Sequence, residues 1–564
     1  MTCCSRLGGF IAVYWRTFVL IIVPLVASLV FHFDTDPAYR CMFVVIVMAI
    51  YWITQALPLP VTSLLPVVLF PLMGILDTDR TCMMYMKETI VMLICGIILA
   101  LAVESCNLHK RIALVVIQIV GCSHRKLFFG LTLVTMFISM WTANTAACAM
   151  MSPVTKAVLE ELESQGLCKM WLTNSDKEGE QKERLPSKIT ICYFAGAAYA
   201  ANLGGCGTLI GTGTNLTFKG IYETRFPTEN IDFLRFMVFN VPPMIISNIL
   251  IYFYLQIVFM GMFRPGSSAA KDAYIDEQGE TIARNVIRGK YEELGTITIH
   301  EITVAILFLV SVLLFFTRRP GFTTGWADVL SEVSIKDGTP AVLVVILMFV
   351  LPEKWTWLNY FKRNPDNLPT ESSPGVITWK YINDKTPWGL VFLLGGGFAL
   401  AEAGKVSGMS LMLGQSLIVL ENLNPLVILL IVCVAAQVFT EFSANVAICN
   451  ILLPVLAEMA IAIKIHPLQL MLPAAISCSY AFMLPVGTPA VAFVAGLGNI
   501  QSKDLMIAGI GPKIITIMVI WIAFPIWGLV IYPEAADFPD WAKENETETW
   551  RRFSMLFDPY TMFE

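Results

Sequence analysis

Two asparagines mark where this sequence can do chemistry. Asn144 lies in WTANTAACAMM (141–151), and Asn445 lies 301 residues later in a near copy, EFSANVAICNI (441–451). The first stretch sits within 29 residues, 127–155, that hold no Asp, Glu, Lys or Arg, so Thr142, Asn144 and Thr145 stand out as polar groups in an apolar run. An asparagine offers amide donors and a carbonyl acceptor. Placed where a short helix begins, beside free main-chain N–H groups and the positive end of the helix dipole, it can meet a carboxylate and a cation together. Two further stretches recur in the same order. ILALAVE (98–104) echoes FALAEAG (398–404), behind Gly96 in one case and Gly395-Gly396-Gly397 in the other; YAANLGGCGTLIGTGTN (199–215) echoes YAFMLPVGTPAV (480–491), setting Gly211-Thr212 against Gly487-Thr488. A lone intramembrane Asn most often hydrogen-bonds a neighbouring helix. A duplicated Asn beside duplicated Gly/Pro-broken segments points instead to a site for a polar solute. Glu441 is the sole Asp, Glu, Lys or Arg between 422 and 457. It is a functional candidate, with an ion pair to Lys405 as the alternative.

Other chemistries find no support. A phosphate loop fails because Gly404-Lys405 has Ala399 where the first glycine belongs and Val406 where Ser or Thr belongs. His300-Glu301 lacks the second histidine of a zinc site, and the five histidines (32, 109, 124, 300, 466) never reach metal-ligand spacing. No Ser/His pairing is evident. The expectation is no enzyme, no cofactor and no metal site among these residues. The 14 cysteines form no C-x-x-C pair and lie mostly in apolar runs, as packing residues would; Cys3-Cys4 is a candidate palmitoylation pair. With a net charge of −5 and no basic stripe, nucleic acid is not an expected partner.

The elements that must carry these residues are membrane helices. Of 564 residues 56% are hydrophobic and 14% charged, with a mean hydropathy of +0.68; a soluble domain is about 25% charged. Uncharged windows at 41–76, 189–218, 236–263, 422–440, 465–502 and 514–533, with shorter runs at 302–317 and 338–352, give about eleven spans. The first apolar run, 18–31 behind Arg6 and Arg16, reads as an uncleaved first helix. Hydrophilic segments at 160–187, 264–298 and 353–385 read as loops or surface helices, YIDEQGETIARNVIRGKYEELG being a surface helix. Lys and Arg number five in 264–291, three in 318–336 and five in 354–385, which places the first and third on the cytoplasmic side. An odd number of spans with a cytoplasmic N-terminus puts the C-terminus outside the cell, where the sequon at Asn545 is a candidate glycosylation site. Repeated halves of this kind are commonly inverted in transporters, with the site at the midplane where discontinuous helices meet.

At these residues the chain resembles the divalent anion–sodium symporter family, the carboxylate branch of the solute carriers, over nearly its whole length. NLHKRIAL (107–114), SMWTANTA (139–146), PWGLVFLLGGGFALAEAGKVSGMS (387–410) and VFTEFSANVA (438–447) follow family stretches. CNLHKRIALVVIQIVGCS (106–123) and IAGIGPKIITI (507–517) are especially similar to its insect branch. The resemblance implies an all-α polytopic membrane protein of about eleven transmembrane helices plus two re-entrant hairpins in two inverted repeats, working as a homodimer by elevator motion in the plasma membrane. Scaffold helices would occupy 1–75, the first repeat 76–232, scaffold helices and the central cytoplasmic loop 233–375, the second repeat 376–510, and the last helix and extracellular tail 511–564. The implied substrates are citrate, succinate and similar Krebs-cycle anions. The implied substrate residues are Ala143-Asn144-Thr145 and Ala444-Asn445-Val446 at the hairpin tips, with Thr214, Asn215, Thr488 and Pro489. In sodium-coupled members, Ser139, Asn144 and the Gly204-Gly205 backbone would form one cation site, and Thr440, Asn445 and the backbone near 485–487 the other.

The sequence departs from the family pattern. Both Ser-Asn-Thr serines are alanine, the second threonine is Val446, and the family's Pro-Pro-Asn reads Pro489-Ala490-Val491. A hydrogen bond to a charged group contributes about 1.5–3 kcal/mol, so losing two serines lowers carboxylate affinity on the order of 10² to 10⁴-fold. Thr142 and Ser443 offer hydroxyls one residue earlier. A one-residue shift is about 100° around a helix, so they replace the lost groups only if the tip is irregular. No Lys or Arg lies within either motif, and an uncompensated dianion at the midplane is costly. The reading is therefore a carrier working without cations or by exchange, against a sodium-coupled symporter or a non-transporting, sensing relative.

Overall fold

The computed structural model describes residues 3–539 except 122, 165, 167–168, 174–183, 228, 265, 268–269, 271–276, 320–323, 362–367, 369–370, 411 and 414–422. The tail carrying Asn545 lies outside the described residues, as do the side chains of Cys3 and Cys4. Helices dominate. A pair of short antiparallel strands, Trp171–Thr173 and Arg184–Pro186, stands where the sequence reading had only loops or surface helices; Trp171 lies opposite Pro186 and Thr173 opposite Arg184.

The chain opens with α1 (Cys3–Ala27) and α2 (Pro37–Thr54). The stretch expected to be the first repeat holds α3 (Glu88–Ser105), α4 (Leu108–Val120), α5 (His124–Ser139), α6 (Asn144–Ser164), α7 (Lys188–Gly205) and α8 (Gly213–Arg225), and α9 (Phe233–Phe259) follows it. Between the halves run α10 (Glu277–Glu293), the expected charged helix, then α11 (Ile299–Arg318) and α12 (Gly338–Val350). The second half comprises α13 (Gly389–Val406), α14 (Pro425–Phe439), α15 (Asn445–Ala462), α16 (Pro467–Ser477), α17 (Pro489–Leu497) and α18 (Ser502–Ala523).

The repeat extends into the elements. Two helical hairpins, α5–α6 and α14–α15, each turn over in four or five residues. Each second arm begins at its asparagine and carries a proline nine residues on, Pro153 and Pro454. Each hairpin is followed by a helix that breaks and restarts, α7/α8 around 206–212 and α16/α17 around 478–488. The halves interlock: α6 packs on α17, α15 packs on α8, and the closing helices α9 and α18 pack on each other.

Eight helices among the described residues are long and apolar enough to cross a bilayer, with four shorter apolar ones beside them. The apolar windows do not map one to one onto these helices, for a physical reason. The window 422–440 is a 15-residue hairpin arm, and 465–502 is a helix in two pieces. Apolar composition reports burial in lipid or protein without saying whether the segment crosses.

Close backbone approach explains the Gly395-Gly396-Gly397 triplet. A Cβ on the three would collide in turn with the Tyr85 ring, the Ser63 carbonyl and the Asn450 side chain, so α13 needs glycine on three of its sides. A buried ionic cluster ties α8 to the loops around α11 and α12. Asp337, fully buried, receives Lys219 Nζ at 2.9 Å and Arg318 Nε at 2.6 Å. Arg318 also reaches Asp232 at 2.7 Å, and Lys336 reaches Glu223 at 2.8 Å. The ten cysteines among the described residues that carry a described environment are free thiols, nine of them buried, consistent with packing roles.

Candidate functional site

Each hairpin tip is folded around the same small construction. Ser139, the last residue of α5, donates to Asn144 Oδ1 at 3.2 Å and to the Ala201 carbonyl at 2.7 Å. Its counterpart Thr440, 301 residues on, donates to Asn445 Oδ1 at 2.8 Å and to the Cys478 carbonyl at 2.5 Å. A hydroxyl has one hydrogen, so these two contacts share it, and each tip gathers three oxygens: hydroxyl, amide carbonyl and main-chain carbonyl. Ser139 and Thr440 are fully buried, and Asn144 and Asn445 are half-buried.

The first broken helix must come very close to accept the tip. A Cβ on Gly204 would meet the Met136 carbonyl, and one on Gly205 would overlap Asn144 Oδ1. The Ser139, Asn144 and Gly204-Gly205 group expected from the resemblance is thus brought together. In the second half a Cβ on Gly487 would meet Ala481 Cβ at 2.8 Å and the Thr440 carbonyl at 3.0 Å.

The halves then meet. Asn202, fully buried on α7, receives Asn144 Nδ2 at 3.5 Å and gives its own amide to the Ala481 carbonyl at 2.8 Å and to Thr488 Oγ1 at 3.3 Å. Thr214 and Ser479 share a hydrogen bond of 2.5 Å where the two breaks cross. Val446 Cγ2 lies 2.9 Å from where a Gly213 Cβ would be, so the first turn of α15 rests on the first turn of α8. The helix starts at Asn144, Gly213, Asn445 and Pro489 are thereby knit into one region, two from each half. Every such start exposes main-chain N–H groups and the positive end of a dipole.

The expected substrate residues divide into two groups. Ala143 and Pro489 are exposed, and Asn144, Thr145, Ala444 and Asn445 are half-buried, so these can face a ligand. Val446 and Thr488 are largely buried, and Thr214 and Asn215 fully so. Asn215 points into its own break, donating to the Gly205 and Thr208 carbonyls at 3.0 and 2.7 Å. The hydroxyls offered in place of the missing serines are engaged elsewhere. Thr142 donates to the Ile138 carbonyl at 3.1 Å, and Ser443 to the Trp52 carbonyl on α2 at 3.2 Å. Glu441 pairs with Lys513 at 2.8 Å, not with Lys405, which is exposed.

Sequence reading missed Asn202, Ser479 and Lys513. Asn202 carried a signal, being the one carboxamide in the uncharged run 189–214, and intramembrane polarity was the criterion used for Asn144. Lys513 also carried one, as the sole Asp, Glu, Lys or Arg between 505 and 533, but nothing in the sequence joined it to a partner 72 residues away.

A cavity of about 920 Å³ runs beside α6 at Ala149, Met150, Pro153, Val154 and Ala157. Its polar wall includes Glu104 of α3, Lys110 of α4, Lys290 of α10 and Tyr381, the last two within the segments 264–291 and 354–385 that the Lys/Arg count expects on the cytoplasmic side. It starts five residues along α6 from Asn144.

Two half-sites of one design, each a hairpin tip seated on a broken helix and joined inside an apolar helical fold, define a polytopic membrane transporter. The chain belongs to the sodium:sulfate symporter family: the family model for the sodium:sulfate symporter transmembrane region matches residues 12–532. It is 51% identical to "Protein I'm not dead yet" of Drosophila melanogaster over 547 residues, covering 95% of this chain and 93% of the relative. It is 36% identical to human "Solute carrier family 13 member 2" (96% and 95% covered) and 35% identical to human "Na(+)/dicarboxylate cotransporter 3" (93% and 94% covered). It is an integral membrane protein of a transporter family, not of an enzyme family.

Proposed function

We propose that the chain carries Krebs-cycle di- and tricarboxylates, of the succinate and citrate class, across the plasma membrane, by exchange or without obligatory cation coupling. The name of the human dicarboxylate cotransporter supports the substrate class. The observation that carries the reading is the pair of matched tips, with Asn144 and Asn445 half-exposed at helix starts and flanked by Ala143 and Ala444. In this reading the carboxylates lie between the two tips, against Asn144, Thr145 and Asn445 and the first turns of α8 and α17. Thr214, Asn215, Val446 and Thr488 shape the floor. With alanine at 143 and 444, and Thr142 and Ser443 committed to carbonyls, the tips contribute fewer donors than the family pattern. Affinity for the fully charged tricarboxylate is accordingly low.

The oxygen triads favour a second reading, sodium coupling. Ser139, Asn144 and Ala201 in one tip, and Thr440, Asn445 and Cys478 in the other, offer the hard oxygen donors a small cation takes. The cavity beside α6 serves as the cytoplasmic route to the site. The homodimer, the elevator motion, the outside C-terminus and glycosylation at Asn545 belong to the same proposal, on the resemblance alone.

Uptake of radiolabelled succinate and citrate into proteoliposomes, with sodium and with choline replacing it, tests the proposal. Sodium-independent uptake, accelerated by unlabelled succinate inside, is expected. Uptake only with sodium would establish the symport reading, and no uptake under either condition would establish a non-transporting relative.

A further inference from the structure

We propose that Glu441 is a positioning residue for the second half-site, a built-in carboxylate that fastens the broken α16/α17 segment where the first half uses neutral side chains. The inference rests on the transport reading above for its functional consequence, and on geometry alone for the fastening itself.

The two breaks can be compared position by position. Met140 and Glu441 are 301 residues apart, as are Asn144 and Asn445. Within the breaks, Gly211-Thr212 corresponds to Gly487-Thr488, which pairs Gly205 with Ala481, Thr208 with Leu484 and Asn215 with Val491. In the first half three ties hold the break. Thr208 Oγ1 donates to the Met140 carbonyl at 2.5 Å, and Asn215 closes the loop through the Gly205 and Thr208 carbonyls. In the second half the residues that make those ties are gone, since leucine replaces Thr208 and valine replaces Asn215.

Other groups do the same work at the same places. The Ala481 carbonyl, counterpart of Gly205, is taken by Asn202 from across the pseudo-symmetric interface. The tie between break and tip is remade with charge. Glu441 Oε1 accepts from the Phe482 and Met483 amides at 3.0 and 3.2 Å, and Oε2 accepts from Met483 and Leu484 at 3.1 and 3.0 Å. Three consecutive main-chain N–H groups thus converge on one carboxylate that is 2% exposed. Lys513 of α18 neutralises it at 2.8 Å. A buried charge needs both a counter-ion and filled hydrogen-bonding positions, and this one has both.

The arrangement has a consequence for the substrate. The amides of 482–484 are committed to an internal carboxylate, so an incoming anion in the second half meets the starts of α15 and α17, not the break. Glu441 neighbours Thr440, and the same break carries Gly487 and Thr488. Loosening it would move the tip oxygens and the start of α17 together.

Hydrogen–deuterium exchange of the protein in nanodiscs, read on peptides covering 478–488, tests the fastening without requiring transport. Glu441→Gln is expected to speed exchange at 482–484 by about ten- to a hundredfold, with Lys513→Gln leaving these amides slow. Glu441→Gln should also raise the KM for succinate at unchanged surface amount, more than it lowers the maximal rate. Glu441→Lys/Lys513→Glu separates fastening from simple pairing. Lysine has no acceptor, so the exchanged pair should remain fast at 482–484 and impaired in KM. If that variant does not fold, Glu441→Gln/Lys513→Gln, which strands no charge, should behave the same way. Parental exchange at 482–484 in Glu441→Gln, or parental KM in either double variant, would overturn the proposal. Failure of the parent to take up succinate would sink the transport reading, while the exchange data would still decide the fastening.

Discussion

Asn144 and Asn445 each use their carbonyl inside the tip, to a hydroxyl five residues earlier, and leave the amide for what lies beyond. At the first tip that division requires the broken helix to approach without a side chain, which Gly205 provides. Gly205→Ala would place a methyl on Asn144 Oδ1, and we expect loss of at least about 90% of uptake with normal surface amount, a barrier change of about 1.4 kcal/mol or more. The missing serines predict the opposite direction. Ala143→Ser and Ala444→Ser should each tighten succinate binding about tenfold, one hydrogen bond to a charged group, measured as KM or by competition. These residues were legible in the sequence because a polar group in an uncharged run announces itself. The roles of Thr142 and Ser443 were not, because a hydroxyl's choice between a ligand and the carbonyl of Ile138 or Trp52 depends on which way the tip turns. The spacing of Glu441 likewise said that it was exceptional without saying that Lys513 faced it.

At the scale of elements, the repeat was legible where it is chemical and hidden where it is structural. Matching tips and Gly-Thr pairs could be found by eye, and the order hairpin then broken helix follows from them. That α6 lies on the second half's α17, and α15 on the first half's α8, could not be found. Packing partners are chosen by shape, through contacts such as Val446 on Gly213. Asn202, like the Thr214–Ser479 pair, is a polar link in that exchange. Asn202→Leu removes the donor from the buried Ala481 carbonyl, which should cost about 1–3 kcal/mol and lower the midpoint of thermal unfolding in detergent. Uptake should fall with it, since both half-sites lose a shared wall. A parental midpoint would mean that the two breaks are held together without Asn202.

Over the whole molecule, the apolar windows fall on helices of membrane-spanning composition, while which of them cross depends on segments whose apolar faces meet protein instead of lipid. Also unforeseen was the cluster in which Asp337 bridges Lys219 and Arg318, because its members are scattered over more than a hundred residues of sequence. The cluster gives an ordered prediction. Asp337→Asn leaves Lys219 with Glu223 at 3.7 Å and Arg318 with Asp232 at 2.7 Å and should destabilise by about 3 kcal/mol, whereas Lys219→Met leaves Asp337 paired with Arg318 and should cost less, both read by thermal unfolding. The central claim is that a carboxylate binds between two tips 301 residues apart in sequence. Its most direct test is the rate at which a membrane-impermeant maleimide labels Ala143→Cys and Ala444→Cys in proteoliposomes, each on a background in which Cys3, Cys4, Cys82, Cys122 and Cys168 are replaced by serine. Succinate should slow labelling at both tips with the same concentration dependence as its uptake. Labelling that succinate leaves unchanged at both positions, at concentrations that saturate uptake, would contradict the account.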